Sequence, residues 1–431
     1  MLLAPVRNFL IQHRYELVVL TFFLFLALFI PKASFDWASY VVWAQYIQEH
    51  GLSNIYQLHY VNYMPLNIFA IHLWQVVVEK LGYDLVEKVH WLKLYAMLFD
   101  CMTVLVVLRL VRQLNRSVGL AVSVLLLNIA FHYNSCVWGQ FDSVYTFFSF
   151  LSLLWVYQKK YAYSSIAYLL ALNAKLQAII FLPLLLLVAV VQVIQSKKRP
   201  SLKRIFTRGA ATTLCLLGIQ WLLFMPFTPH TAREILSVIW QRSSELSSYV
   251  TFNADNFWLI VGAESMITQD TALWLLGLSY KSWGMFLFFV SSGMLLLAFI
   301  WEPIIAHLRK HRIHTSVRFR EAQLEQVMIL AYMISLQFFF FFTQMHERYG
   351  HPAVLFATVF FLLSKKPGLL ILTSVAYLVN MERVFAHWWF TQSATQLVAL
   401  DRVAAWLYAF AWLYGVFLFL ESIRGKRGEV T

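Results

Sequence analysis

The run Leu336-Gln337-Phe338-Phe339-Phe340-Phe341-Phe342 is one of the most apolar in the chain, and the polar group His346-Glu347-Arg348-Tyr349 follows it closely. Another apolar run, residues 352–363, begins directly afterwards. The polar group therefore occupies a tight turn between two membrane spans. Ionisable side chains at such a depth are costly unless they are paired or functional. We interpret the turn as part of a site at a membrane surface, and we expect the phenylalanine run to form a lipid-facing and packing surface.

The overall composition is that of a membrane protein. The chain is 60% hydrophobic, 17% aromatic and only 13% charged, and its apolar runs recur along the whole length. Because a span needs about 20 apolar residues, we predict an all-α polytopic protein with about twelve transmembrane helices. The predicted spans are residues 16–31, 93–113, 118–134, 144–158, 161–174, 177–195, 206–226, 283–301, 323–343, 351–364, 368–386 and 403–420. They form one integral-membrane domain, 1–431, in which 366–431 is the variable C-terminal part.

The basic residues predict the orientation of these spans. If the N-terminus is cytoplasmic and the spans alternate, most of the 34 Lys and Arg residues lie in short cytoplasmic loops, and both termini are cytoplasmic. The formal net charge of +13 is then a property of the cytoplasmic face and does not indicate nucleic-acid binding. The compact loops favour a bacterial plasma membrane, with the endoplasmic reticulum as the alternative. The first apolar run lacks a small-residue cleavage site and is expected to be a true span.

Two long outer loops, residues 32–92 and 227–282, carry further apolar stretches. Residues 66–78 and 257–261 are too short or too interrupted to span comfortably, so we expect helices that lie in the outer interface. The first loop could instead cross the membrane, which would move the basic residues 109–116 to the outer side. Between two spans, Lys175 interrupts an apolar stretch of 35 residues, 161–195, and predicts a turn there.

On this topology, the unusual polar residues collect on the outer side. They are Asp36, Gln140, Asp142, Lys175, Gln177, Asn253, Asn256, His346, Glu347, Arg348 and Tyr349. Cations and hydrogen-bond donors can hold a phosphate and stabilise the charge that it gains on leaving. A carboxylate can take the proton of an acceptor hydroxyl. Such a set suits a lipid-linked phosphosugar whose tail lies between spans, and without closely spaced acidic or histidine ligands we expect neither a metal nor a cofactor.

Each of these residues also has an ordinary structural interpretation. Asp142 can cap the helix that follows it, and Lys175 can extend from a hairpin turn towards water. Arg348 can pair with Glu347, and asparagines are common in turns. These alternatives stay open at the level of sequence.

The chain resembles the GT-C glycosyltransferase superfamily, whose members take sugars from polyprenyl-phosphate donors. The likeness is closest to bacterial relatives of the glycosylphosphatidylinositol mannosyltransferases and more distant to the dolichyl-phosphate-glucose glucosyltransferases. It covers roughly residues 16–365. The matching pieces are Asp36, Gly51, Ile55-Tyr56, Tyr63-Met64-Pro65-Leu66, Trp138-Gly139-Gln140-Phe141-Asp142, Lys175-Leu176-Gln177 with Pro183, Asn253-Ala254-Asp255-Asn256-Phe257-Trp258 and His346-Glu347-Arg348-Tyr349.

The resemblance implies a role for each matching position. Asp36 is implied as the catalytic base, and Lys175, His346 and Arg348 as donor-phosphate ligands. The implied substrate cavity is lined by Tyr63, Gln140, Asp142, Gln177, Asn253, Asn256, Glu347 and Tyr349. The chain departs from the family at Asn62, where an acid is common, at Tyr63-Met64-Pro65-Leu66 in place of Tyr-Pro-Pro-Leu, and at Lys175-Leu176-Gln177 in place of Lys-Pro-Gln. These departures lie where the acceptor and the sugar are expected to bind.

The resemblance therefore implies an inverting transferase that moves a hexose, with mannose favoured by the family likeness, to a lipid, glycan or protein on the periplasmic or luminal face. The implied partners are the lipid-linked donor, the acceptor and the bilayer, with the protein as a monomer or weak oligomer. A transporter or flippase for a lipid-linked sugar or another polar substrate is the alternative. A non-catalytic scaffold is a third possibility, but it leaves the gathering of polar residues unexplained.

Overall fold

The computed structural model describes residues 12–32, 37–59, 61–195, 201–228, 230–245, 248–308, 317–389 and 394–430, which are mostly helical. The first helices are α1 (Arg14–Leu28), α2 (Trp37–His50), α3 (Pro65–Lys80), α4 (Leu85–Lys88), α5 (Lys93–Gln113), α6 (Val118–Leu127), α7 (Ile129–Tyr133), α8 (Asp142–Tyr157) and α9 (Tyr161–Ala174). The later ones are α10 (Leu182–Ile194), α11 (Leu202–Phe224), α12 (Ala232–Glu245), α13 (Phe257–Ile260), α14 (Tyr280–Leu308), α15 (Val317–Phe341), α16 (His351–Ser364), α17 (Gly368–Trp389) and α18 (Ala394–Val430). Two short strands, β1 (Thr251–Phe252) and β2 (Met345–His346), pair in parallel.

Among the described residues, seven helices are long and apolar enough to cross a membrane, or eight if the bent pair of α6 and the helix after it counts as one span. The all-α membrane architecture agrees with the sequence, but the predicted number of twelve spans is not confirmed. The helices α1, α8, α9 and α16 contain only 15, 16, 14 and 14 residues. At 1.5 Å per residue such helices rise about 21–24 Å, less than the roughly 30 Å of a bilayer core.

Helix α15, which ends in the phenylalanine run, lies at the centre of the bundle. Its apolar window, Glu321–Phe341, is 89% buried, and the helix packs against α14, α16 and α18. Phe339, Phe340 and Phe341 are almost completely enclosed by protein. The expected packing role is confirmed, whereas the expectation that these three side chains face lipid is wrong. Apolar composition alone cannot distinguish the two environments, because lipid tails are as apolar as a protein core.

The helices are interrupted at two places next to the polar residues. The pair of helices on either side of Asn128 bends by 54°, and a π-helical turn, Asn134–Trp138, follows. Gly139 then adopts a left-handed conformation with φ of 75°, which a residue without Cβ does at little cost. The predicted turn at Lys175 is confirmed, because Lys175 is extended between α9 and the 3₁₀ helix Leu176–Phe181. Extra residues in π turns often mark functional sites.

The two long loops pack over the end of the bundle at which α15 ends and α16 begins, called the site end below. Helices α2 and α3 share an apolar cluster with the start of α8 and with α12. Arg242 of α12 donates to the backbone carbonyls of Tyr56, Leu58 and Val61 at 2.8–3.0 Å, so the second loop holds the first. The stretches 66–78 and 257–261 are helical as predicted, in α3 and α13, and their position in the outer interface stays a prediction.

Candidate functional site

The first element of the site is an ion pair between Lys175 and Asp142. The Lys175 ammonium donates to one carboxylate oxygen of Asp142, and Asn134 Nδ2 donates to the other at 3.2 Å. Asp142 is the first residue of α8, yet both of its oxygens accept from side chains outside that helix. The Asp142 side chain is 1% exposed and that of Lys175 is 22% exposed. Both charged groups therefore lie inside the protein, and the Lys175 side chain is the more exposed of the two.

The second element is an ion pair within the short 3₁₀ helix Glu347–Gly350. Arg348 Nη1 lies 3.1 Å from Glu347 Oε1, and both side chains are largely buried. Tyr377 of α17 donates its hydroxyl to the Arg348 carbonyl at 3.3 Å, which holds the turn against that helix. The pairing of Arg348 with Glu347, an alternative left open by the sequence, is therefore present in the structure.

The ring of Tyr349 joins the two pairs. Lys175 Nζ lies 4.1 Å from the ring centroid, and Arg348 Cζ lies 5.5 Å from it. Both distances are within the range of cation–π attraction. The fold thus brings together residues that are far apart in sequence, on α8, after α9 and after β2. Both cations lie near the same aromatic ring. We call Asp142, Lys175, Glu347, Arg348 and Tyr349 the charge cluster.

The electrostatics of the cluster favour ionised partners. Burial opposes the ionisation of Asp142, but the positive charges of Lys175 and Arg348 outweigh this effect and lower the pKa of the carboxyl group below its usual value. The pKa of Lys175 is also lowered, mainly by burial, with Arg348 acting in the same direction and Asp142 opposing it. We take the ionised pair as the resting state, because separating two adjacent opposite charges in a low-dielectric site is unfavourable.

His346 lies beside the cluster and is uncharged. It belongs to β2, where it pairs with Phe252 of β1, and its ring packs against Phe252 at 4.6 Å and Tyr349 at 5.1 Å. Burial, and then the positive charges of Arg348 and Lys175, hold the pKa of this imidazole well below its usual value. At neutral pH, His346 can therefore serve a ligand as a hydrogen-bonding group and not as a cation.

Tyr63 and Gln140 connect the first loop to the chain just before Asp142. The Tyr63 hydroxyl donates to Gln140 Oε1 at 3.2 Å and lies 3.2 Å from the Tyr40 hydroxyl. Tyr40 in turn stacks on Phe141 with a centroid distance of 5.1 Å. Gln140 is itself buried, and its backbone N–H donates to the backbone carbonyl of Asn134 at 3.0 Å. Tyr63 and Gln140, each predicted to line the substrate cavity, are thus in contact, and they border the charge cluster through the 140–142 segment.

The three predicted amides have different environments. Gln177, just after Lys175, has a buried Oε1 atom without a hydrogen-bond partner among the described residues. Asn253 adopts a left-handed conformation with φ of 65° and forms an isolated bridge pair with His346. Asn256 is fully buried; its Oδ1 caps α13 by accepting from the N–H of Trp258, and its Nδ2 donates to Phe339 O. The structure thus gives Asn256 a capping role inside the protein.

Asp36 lies outside the described residues. The chain that leads to it is held near the site, because the Lys93 ammonium donates to the carbonyls of Pro31 and Val137, both at 2.9 Å. Lys93 is fully buried at the start of α5. Sequence reasoning missed this lysine, although a cation at the apolar start of a span was a usable signal.

Sequence reasoning also missed a clasp formed by α17. Arg383 Nε donates to Asp255 Oδ2 at 3.2 Å. Asn380 Oδ1 accepts from the backbone N–H of Asp255 at 3.1 Å, and Asn380 Nδ2 donates to Asn253 O at 2.8 Å. The carboxylate of Asp255 is completely buried. This clasp fixes the segment after β1 to a helix in the part of the chain that was expected to be variable. An arginine and an asparagine one turn apart in an apolar helix were the signal.

Among the described residues, no three His, Cys, Asp or Glu side chains are arranged to hold a metal ion. A comparison with protein-family models and a comparison with curated proteins each found no match for the chain.

Proposed function

We propose that this chain is an inverting membrane glycosyltransferase that moves a hexose from a polyprenyl-phosphate donor to a lipid, glycan or protein acceptor. The observation that supports this most is the meeting of Lys175 and Arg348 on the ring of Tyr349. Two cations that are each backed by a carboxylate form a preorganised, charge-balanced cluster beside a neutral histidine. Its two cations can give charge-assisted hydrogen bonds to phosphate oxygens. Mannose remains the sugar favoured by the family resemblance.

In this proposal, Lys175 binds the donor phosphate with the N–H groups that do not donate to Asp142. An ammonium has three N–H groups and a guanidinium has five, so a cation can hold its carboxylate and a phosphate oxygen together. Each charge-assisted hydrogen bond to the phosphate stabilises the charge that develops as the lipid phosphate leaves. One preorganised donor of this kind typically contributes ~3 kcal/mol to the transition state.

The chemical step then needs a base for the acceptor hydroxyl. The hydroxyl oxygen attacks the anomeric carbon, its proton passes to the base, and the bond from that carbon to the phosphate oxygen breaks with its electron pair on the phosphate. Attack opposite the leaving group inverts the anomeric centre. We propose Asp36 as this base on the strength of the resemblance, with the residues before it held near Val137 by Lys93.

The test is sugar transfer by the purified protein from a polyprenyl-phosphate-linked labelled mannose, with the native membrane glycolipids as acceptors. We expect wild type to form a labelled glycoside. The rate of sugar transfer by Asp36→Asn should be about 10²–10⁴-fold lower. Full activity of Asp36→Asn contradicts the assignment of the base. If wild type forms no glycoside from this donor or from polyprenyl phosphates that carry other hexoses, the proposed enzyme activity is contradicted.

One observation favours the second candidate, a transporter or flippase. Asp100 lies inside the candidate span Leu85–Gln113, is 1% exposed, and accepts a hydrogen bond from Ser135. Buried acids inside spans often mark substrate or ion pathways. Movement of a labelled lipid-linked sugar across vesicle membranes without glycoside formation, abolished in Asp100→Asn, would favour this candidate over the transferase.

A further inference from the structure

The segment between β1 and α14 ends in a group of exposed aliphatic side chains. Leu273, Leu275, Leu276 and Leu278 are exposed by 73%, 48%, 82% and 48%. We call residues 273–278 the leucine loop. An apolar patch of this kind on a protein surface usually marks an interaction site.

The leucine loop has a defined conformation. Leu273 and Ser279 form an isolated antiparallel bridge, and Trp274 N donates to Leu278 O at 2.9 Å. Leu276 and Gly277 are both left-handed, with φ of 54° and 71°. The exposed leucines are therefore presented by a closed turn.

The loop lies alongside the first turn of a candidate span. Trp283 Nε1 donates to the carbonyl of Leu275 at 2.8 Å. Trp283 belongs to the candidate span Tyr280–Trp301 and lies about 4.5 Å along the helix axis from Tyr280, at 1.5 Å per residue. Leu275 therefore lies beside the first turn of this candidate span.

Aromatic side chains surround the base of the loop. Trp274 stacks on Tyr280 at 5.6 Å, and Trp258 packs edge-on against both rings at 5.4–5.5 Å. Tryptophan and tyrosine collect at the headgroup level of membranes. Trp283, which holds Leu275, also packs edge-on against Phe286 of α14 at 5.4 Å, and Phe286 and Phe289 are exposed like the leucines.

We propose that the leucine loop is inserted into the leaflet at the site end, with the lipid acyl chains as its partner. The loop thereby anchors the segment that carries β1. Because β1 pairs with β2 and contacts His346, the membrane and the charge cluster are held in a fixed relation. The proposal concerns the depth of a loop and does not depend on the proposed transfer reaction.

Depth is measured with a fluorophore attached to Leu276→Cys. The background variant is Cys215→Ser, because Cys215 is exposed while Cys101 and Cys136 are buried. The labelled full-length protein is placed in phosphatidylcholine vesicles with a nitroxide on the upper acyl chain, or with iodide in the water. We expect the nitroxide to remove most of the emission and iodide to remove little. Leu273→Cys, a second position on the loop, should behave in the same way.

Two controls calibrate the measurement. A label at Phe289→Cys, on the exposed side of α14, should respond to the nitroxide. A label at Glu264→Cys, an exposed charged position in the same segment, should respond to iodide. Quenching of Leu276→Cys by iodide as strongly as Glu264→Cys overturns the proposal. The label could also be protected from both quenchers, with the protection lost when the protein is diluted in lipid. This result overturns the proposal too, because it shows that a second copy of the protein covers the loop.

Discussion

Lys175 and Asp142 differ in exposure, and removing one of them leaves the other in an unfavourable environment. In Lys175→Met, the Asp142 carboxylate stays 1% exposed and keeps the hydrogen bond from Asn134. Removing one partner of a buried pair costs about 3 kcal/mol or more of unfolding free energy. We therefore expect a clear loss of thermal stability in detergent, measured by intrinsic fluorescence.

The double variant Lys175→Met/Asp142→Asn separates charge from packing. It removes both charges, so it should recover most of the stability lost in Lys175→Met. The matched control is Lys366→Met, whose partner Glu421 is half exposed and whose ion pair is expected to contribute about 0–1 kcal/mol. A double variant as unstable as Lys175→Met would show that Asp142 is not the partner that matters.

His346 makes a prediction about pH. Its folded-state pKa lies well below 6.5, mainly because of burial, so the unfolded chain binds a proton that the native protein does not. Stability due to this group is therefore complete above pH 6.5 and falls as the pH is lowered towards the folded-state pKa. The slope is up to about 1.4 kcal/mol per pH unit, the value for one proton. His346→Gln should be less sensitive to a change from pH 7.5 to pH 5.5.

If His346→Gln melts with the wild-type pH dependence, the imidazole of His346 does not have the lowered pKa on which this prediction depends.

At the scale of elements, the clasp between α17 and the segment after β1 determines where β1 lies. Arg383→Gln leaves the fully buried Asp255 without its cation, and we expect a loss of about 3 kcal/mol in stability. Hydrogen exchange of residues 251–256 should accelerate before that of α15. Arg116→Gln, which breaks a partly exposed pair with Glu321, is the control. Unchanged exchange at 251–256 in Arg383→Gln would contradict the clasp.

The contact of α14 with the end of α15 depends on a glycine. A Cβ atom on Gly284 would lie 2.7 Å from the backbone oxygen of Phe341, whereas one on Gly293 of the same helix meets nothing within 4 Å. We expect Gly284→Ala to cost about 1–3 kcal/mol through overpacking and Gly293→Ala to be neutral or slightly stabilising. Equal melting temperatures of the two variants would mean that the helices are not in such close contact.

At the scale of the molecule, apolar runs and their interruptions predicted the helical membrane class, the turn at Lys175 and the helices within the long loops. The sequence also singled out His346, Arg348 and Asp142 as polar groups in unusual places. These signals are local, because one charge in an apolar run is visible without knowledge of the fold.

The partners of these groups were not predictable in the same way. Lys175 and Asp142 are 33 positions apart and Arg383 and Asp255 are 128 apart, so only the packing of helices shows that they pair. The burial of the phenylalanine run was missed for a related reason, since a helix at the centre of a membrane bundle is as apolar as one that faces lipid. The number of membrane spans could not be counted from the sequence, because several apolar runs form helices that are shorter than a bilayer core.

The central claim is that the charge cluster binds a lipid-linked phosphate through Lys175. The most direct measurement is the affinity of the protein for a short-chain polyprenyl phosphate, compared with the uncharged polyprenol, by native mass spectrometry. Lys175→Met/Asp142→Asn keeps the net charge of the cluster, so a change in affinity reports the ammonium itself. We expect this variant to lose on the order of 10–100-fold in affinity for the phosphate and none for the alcohol, while Lys366→Met binds as wild type does. Equal phosphate affinity of the double variant and wild type would contradict the claim.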